Sequence, residues 1–86
     1  MIERRQGWLA AQVGDELVMM SARSGTYIGL NSVGARIWEM IATPADLSGI
    51  CAALTEEFDV SEDACRAEVE AFLADLEERG AIARSP

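Results

Sequence analysis

The chain has 86 residues, half of them hydrophobic, and carries seven arginines against fifteen acids with no lysine or histidine, a formal net charge of −8. That composition is too apolar for disorder, and a chain this short buries only about two-thirds of its unfolded surface, which implies one small domain with a thin core. It excludes a membrane span, which needs roughly 18–20 apolar residues in a row, and it gives little to bind phosphates or an anionic membrane surface.

The N-terminus lacks the basic-then-apolar pattern of a signal peptide, so a cytoplasmic protein is expected. Residues 1–7, with Arg4 and Arg5 adjacent, read as a loose lead-in. A β-meander is expected over 8–30. Trp8 to Val13 forms its first strand, Gly14-Asp15 is a two-residue hairpin turn, and Glu16 to Ser21 is the second strand. A longer turn, Ala22 to Gly25, leads to the third strand, Thr26 to Leu30, rich in β-branched and aromatic residues. Strands joined by short turns run antiparallel. Setting Val13 opposite Glu16 and Ser21 opposite Thr26 puts Trp8, Ala10, Leu17, Met19, Ile28 and Leu30 on one face. Leu9, Ala11, Val18, Met20 and Tyr27 fall on the other. Both faces are apolar, which leaves several readings open: helices cover one face and a partner the other, the register is off by one residue, or the N-terminal strand pairs elsewhere or swaps between chains.

Three helices are expected over 31–80. Asn31 and Ser32 suit an N-cap, and Val33, Ile37, Trp38 and Ile41 then follow helical spacing until Thr43-Pro44 stops the helix. The second helix starts at Asp46 or Thr43 and carries Leu47, Ile50, Cys51, Leu54 and Phe58. The third is capped by Ser61, has a stripe of Cys65, Val69, Phe72, Leu73 and Leu76, and ends at Gly80. Residues 81–86 are a tail whose Ala81-Ile82-Ala83 is a candidate strand. The order of elements is α+β: a three-stranded antiparallel sheet followed by three helices, in a winged helix-turn-helix-like arrangement. A DNA-reading helix is a poor fit, because Glu68, Glu70, Asp75, Glu77 and Glu78 would repel phosphate.

Catalytic chemistry is missing from the pattern. Histidine, the commonest general base, is absent. No serine or cysteine sits in a nucleophile motif, and Cys51 and Cys65 have neither the spacing nor the histidine of a zinc site. No glycine-rich phosphate loop with its lysine occurs. No catalytic residue, metal or cofactor is expected. A binding module is left, and its free surface is the third strand, last in the meander, whose unpaired edge can take an extended peptide. Gly29 either lets another chain approach closely or answers a turn or packing demand. The third helix can wall a groove beside that edge.

The run Ser24-Gly-Thr-Tyr-Ile-Gly-Leu-Asn-Ser-Val-Gly-Ala-Arg-Ile-Trp38 resembles the G-x-Y-x-x-L-N-x-x-G-x-x-I-W signature of the PqqD-like family. Leu47, Ile50, Leu54, Phe58-Asp-Val60 and Val69-x-x-Phe72-Leu73-x-x-Leu76-x-x-Arg-Gly80 extend the likeness over about 8–83. The resemblance implies a leader-peptide recognition domain for ribosomally made, modified natural products, in which the leader adds a strand to the third strand and packs against the third helix. It is most similar to the stand-alone branch in lasso-peptide maturation, where a separate cysteine protease, the leader peptidase, receives the precursor. Leaders of that branch present an aromatic residue, a proline and an aliphatic residue. On this resemblance Thr26, Tyr27, Ile28 and Gly29 are edge contacts, and Val69, Phe72, Leu73 and Leu76 are candidate pocket residues. The alternatives are a peptide chaperone for a radical S-adenosylmethionine enzyme and, in a different class, a winged-helix transcription regulator.

Overall fold

In the computed structural model, which describes residues 1–85, the elements run β1 (Ile2–Arg4), β2 (Trp8–Val13), β3 (Glu16–Ser21), β4 (Tyr27–Leu30), α1 (Ser32–Met40), α2 (Leu47–Glu57), α3 (Glu62–Glu78) and β5 (Ile82–Arg84). The α+β class and the sheet-then-helices order are those expected. The meander's order is β2-β3-β4. Gly14, at φ +61°, starts the tight turn between β2 and β3, which suits a two-residue loop needing a left-handed first position.

The register is the one drawn from the turns: Val13 pairs with Glu16, Met19 with Ile28 and Met20 with Tyr27. This settles the question of the two apolar faces. Met19, Ile28 and Leu30 are buried beneath the helices, whereas Leu9, Val13 and Tyr27 on the other face are 64%, 59% and 66% exposed. The second face is open.

Each helix begins on a side-chain cap that accepts a backbone N–H otherwise left unpaired. Asn31 Oδ1 accepts from Gly34 N at 2.9 Å, Asp46 Oδ1 from Gly49 N at 2.7 Å, and Ser61 Oγ from Ala64 N at 3.3 Å. The second cap decides between the two expected starts in favour of Asp46. The core lies between the sheet's covered face and the helices, where Ile37, Ile41, Ile50, Leu54, Leu73 and Leu76 are fully buried. Cys51 and Cys65 are buried free thiols, and burial pushes the Cys51 thiol above its ordinary pKa.

One expectation is overturned. Residues 1–7 are not a loose lead-in, because β1 pairs antiparallel with β5 in a second, two-stranded sheet. Ile2 is buried and also bridges Ala45, and the Arg4 guanidinium lies 4.5 Å over the Trp38 ring while its Nε donates to the Trp38 carbonyl at 3.0 Å. Burial there lowers the Arg4 pKa from its ordinary value. A three-residue strand with one buried side chain is too short to display alternation, and its partner is eighty positions away, so no local signal marks it. The candidate strand in the tail is present as β5; Pro86 lies outside the described residues.

Candidate functional site

Among the described residues, β4 pairs with β3 and with no other strand. In an antiparallel ladder, alternate residues turn their N–H and C=O toward the same neighbour. Ser21 N donates to the Thr26 carbonyl at 2.9 Å, which makes Ser21–Thr26 a hydrogen-bonded pair. Ile28 and Leu30, in step with Thr26, therefore turn their backbone groups to β3. Tyr27 and Gly29 turn theirs outward, to the vacant edge. Gly29 has no left-handed φ, and a Cβ there would meet only the Glu16 carboxylate at an ordinary 3.7 Å. Neither a turn nor a packing demand requires glycine at this position.

Beside the edge runs a groove of about 350 Å³ between β4, the start of α1 and one flank of α3. Ile28, Leu30, Ile37 and Val69, all buried residues, form its apolar floor. Phe72, half-buried, forms a wall, and Glu68 and Asp75 add carboxylates to the lining. Phe72 is seated there by Gly34: a Cβ on Gly34 would stand 3.2 and 3.3 Å from the Phe72 ring carbons Cε1 and Cζ. The junction residue Asn31 caps α1 and lines the groove as well. Strand edge, helix start and the seat of the groove wall are thus built from one short stretch of chain.

The eight residues singled out from sequence are not all brought together. Ile28, Gly29, Val69 and Phe72 line the groove. Tyr27 lies on the edge, its side chain out on the open sheet face. Thr26 is half-buried at the strand's entry, where Ser24 and Thr26 share a hydroxyl hydrogen bond of 2.8 Å and its carbonyl is already taken by Ser21. Leu73 and Leu76 have no exposed surface and belong to the core, not to the groove lining. The cause is helical geometry. Leu73 is rotated about 100° from Phe72, away from the flank that carries Glu68 and Asp75, and Leu76 stays on the buried centre line of the stripe. Sequence reasoning missed Gly34, Leu54, Phe58 and Val60. The signal for Phe58 and Val60 was available: two apolar residues follow the last turn of α2 on either side of Asp59.

Comparison with known proteins agrees with this architecture. The model of a family described as coenzyme PQQ synthesis protein D (PqqD) matches residues 16–82, and the chain belongs to that family. Two solved structures share the fold. One, titled TbiB1 in complex with the TbiA(beta) leader peptide, is 25% identical, with a TM-score of 0.86 over 98% of each chain. The other, a lasso peptide synthetase B1 complexed with the leader peptide, is 24% identical, with a TM-score of 0.85 over 96% of this chain and 98% of that one. No curated protein matches.

Proposed function

We propose that this protein is a non-catalytic adaptor that binds the leader peptide of a ribosomally made precursor, of the lasso-peptide kind, as a strand added to β4. The observation that carries this reading is the unpaired β4 edge alongside an apolar groove that Ile28, Gly29 and Leu30 of the same strand line. The guest's backbone would bond to Tyr27 and Gly29, and alternate side chains would enter the groove over Ile28 and Val69, against Phe72. Membership of the PqqD family and likeness to a structure titled as a leader-peptide complex support it. The adaptor would then present the leader to a separate leader peptidase. The family description itself favours a second reading in which the same docking step serves a cofactor-synthesis enzyme. Co-purification of the bound precursor with either enzyme decides between them.

Tyr27→Pro tests the docking step. Proline at 27 removes an outward N–H and leaves the inner ladder to β3 intact. Losing one backbone bond and stranding a guest carbonyl costs about 1–3 kcal/mol, so leader affinity in a calorimetric titration falls about ten- to a hundredfold while the circular dichroism spectrum is kept. A folded Tyr27→Pro protein that binds the leader as tightly as wild type would show that strand addition is wrong.

A further inference from the structure

The cations of this acidic chain are gathered rather than spread. Four of its seven arginines, Arg4, Arg5, Arg23 and Arg79, line one cleft of about 920 Å³. The cleft is well built. Trp8 Nε1 donates to the Gly80 carbonyl at 3.1 Å and ties β2 to the end of α3, and Arg5 N donates to the Ala81 carbonyl at 2.9 Å. The turn that carries Arg23 is held in shape by the buried Ser21, whose Oγ accepts from Ser24 N at 3.3 Å and whose carbonyl accepts from Gly25 N at 2.8 Å. Two of the four cations are committed: Arg4 is stacked on Trp38, and Arg79 Nε lies 3.1 Å from Asp75 Oδ1. Arg5 and Arg23 have no ion pair among the described residues. Among the described residues, Glu3 is the one carboxylate in the cleft's own lining.

The cleft continues the groove. On α3 the groove-lining row Cys65, Glu68, Phe72, Asp75 is extended one turn by Arg79, which lines the cleft. On the sheet side the groove is lined by Ile28 to Leu30, and the cleft by Arg23 and Ser24, just before β4 begins. Both walls therefore pass from groove to cleft at the Tyr27 end of β4. There the lining changes sign, from Glu68 and Asp75 to Arg5, Arg23 and Arg79.

We propose that the arginine cleft is a second subsite for the same docked peptide and takes an acidic stretch, the three or four residues that run past the Tyr27 end of β4. This rests on strand addition at β4. Three extended residues cover about 10 Å, the same number of positions that separates Ser24 in the cleft from Tyr27 at the start of β4. A short tethered acidic stretch fits better than a free polyanion, because the chain's net charge of −8 repels a nucleic acid, whereas a peptide already held by the groove presents its acids at high effective concentration.

The test uses labelled synthetic peptides that share one apolar segment with an aromatic residue, a proline and an aliphatic residue. Each is extended by three glutamates, three glutamines or three lysines, at the N-terminus in one set and the C-terminus in another. Exposed ion pairs are individually weak, so over three acids the glutamate peptide of one set is expected to bind about tenfold more tightly than its glutamine counterpart, with the lysine peptide weakest. The preference shrinks as salt rises and disappears in the Arg5→Glu, Arg23→Glu double variant. Equal binding by all three extensions in both sets, or a preference that survives the double variant, overturns the subsite and leaves strand addition standing. Failure of every peptide to bind overturns both. Binding of inorganic phosphate or a short oligonucleotide that shifts the Arg5 and Arg23 side-chain Nε–H resonances with no peptide present would make this a free-anion site and overturn the proposal in another way.

Discussion

Gly34→Ala separates the groove's shape from the fold's stability. Gly34 sits in the first turn of α1, and its missing side chain is what lets the Phe72 ring lie against the helix. The added methyl would stand 3.2 and 3.3 Å from two ring carbons and 3.4 Å from Leu30 Cβ. Carbon atoms rest best at about 3.5–4.0 Å, so the ring must retreat by roughly a third of an ångström, and the open direction is the groove. Overpacking of this kind costs about 1–3 kcal/mol, while alanine in place of glycine returns up to about 1 kcal/mol of helix propensity. The net loss of stability is therefore modest, on the order of 1 kcal/mol, or a few degrees in Tm for a domain this size. Binding suffers more. A methyl group, of roughly water's 30 Å³, together with the displaced ring removes on the order of a tenth of the groove's 350 Å³ at its apolar centre. Leader affinity is expected to fall about tenfold. Thermal melting followed by circular dichroism and calorimetric titration with the leader measure the two effects on one sample. Wild-type affinity in the variant would refute the assignment of Phe72 as a groove wall. A stability loss above about 3 kcal/mol would refute the idea that the ring has open space to move into.

Two further predictions follow from the placement of side chains. Leu73→Ala, at a position with no exposure, should cost about 3–4 kcal/mol in denaturant unfolding, a large share of a small domain's stability, whereas Phe72→Ala should lose leader affinity with the fold intact. The reverse pattern would mean that the groove faces the other flank of α3. The second concerns pH. The hydrogen bond from Arg36 holds the exposed Glu57 carboxylate below its ordinary pKa and raises that of Arg36. A depressed carboxylate stabilises the fold above its unfolded pKa, and the contribution fades as pH falls through the folded one. The difference in Tm between wild type and Glu57→Gln should be present at neutral pH and close below the ordinary glutamate range.

Local chemistry made most of the fold readable. The Gly14-Asp15 turn set the meander's register, the caps Asn31 and Ser61 marked helix starts, and the stripe from Cys65 to Leu76 marked the longest helix. What failed was non-local. β1 owes its existence to β5 and to the Arg4–Trp38 stack, partners that nothing in residues 1–7 announces. The candidate site divided the same way. The edge strand could be read from chain order, because the last strand of a meander has one neighbour. Which flank of α3 meets that edge depends on how the helix rolls on the core, so Leu73 and Leu76 were grouped with Phe72 although they lie beneath it. Gly34 sits within the recognised strand–helix junction, yet its role depends on a ring thirty-eight positions away.

The pairing of β1 with β5 brings the described ends of the chain together: the Met1 amino group donates to the Ser85 carbonyl at 2.6 Å. Neither strand lines the groove. The polypeptide thus enters and leaves the domain at nearly one point, as a cassette does, a geometry that suits insertion into an exposed loop of a host protein with short joints and with the β4 groove left open.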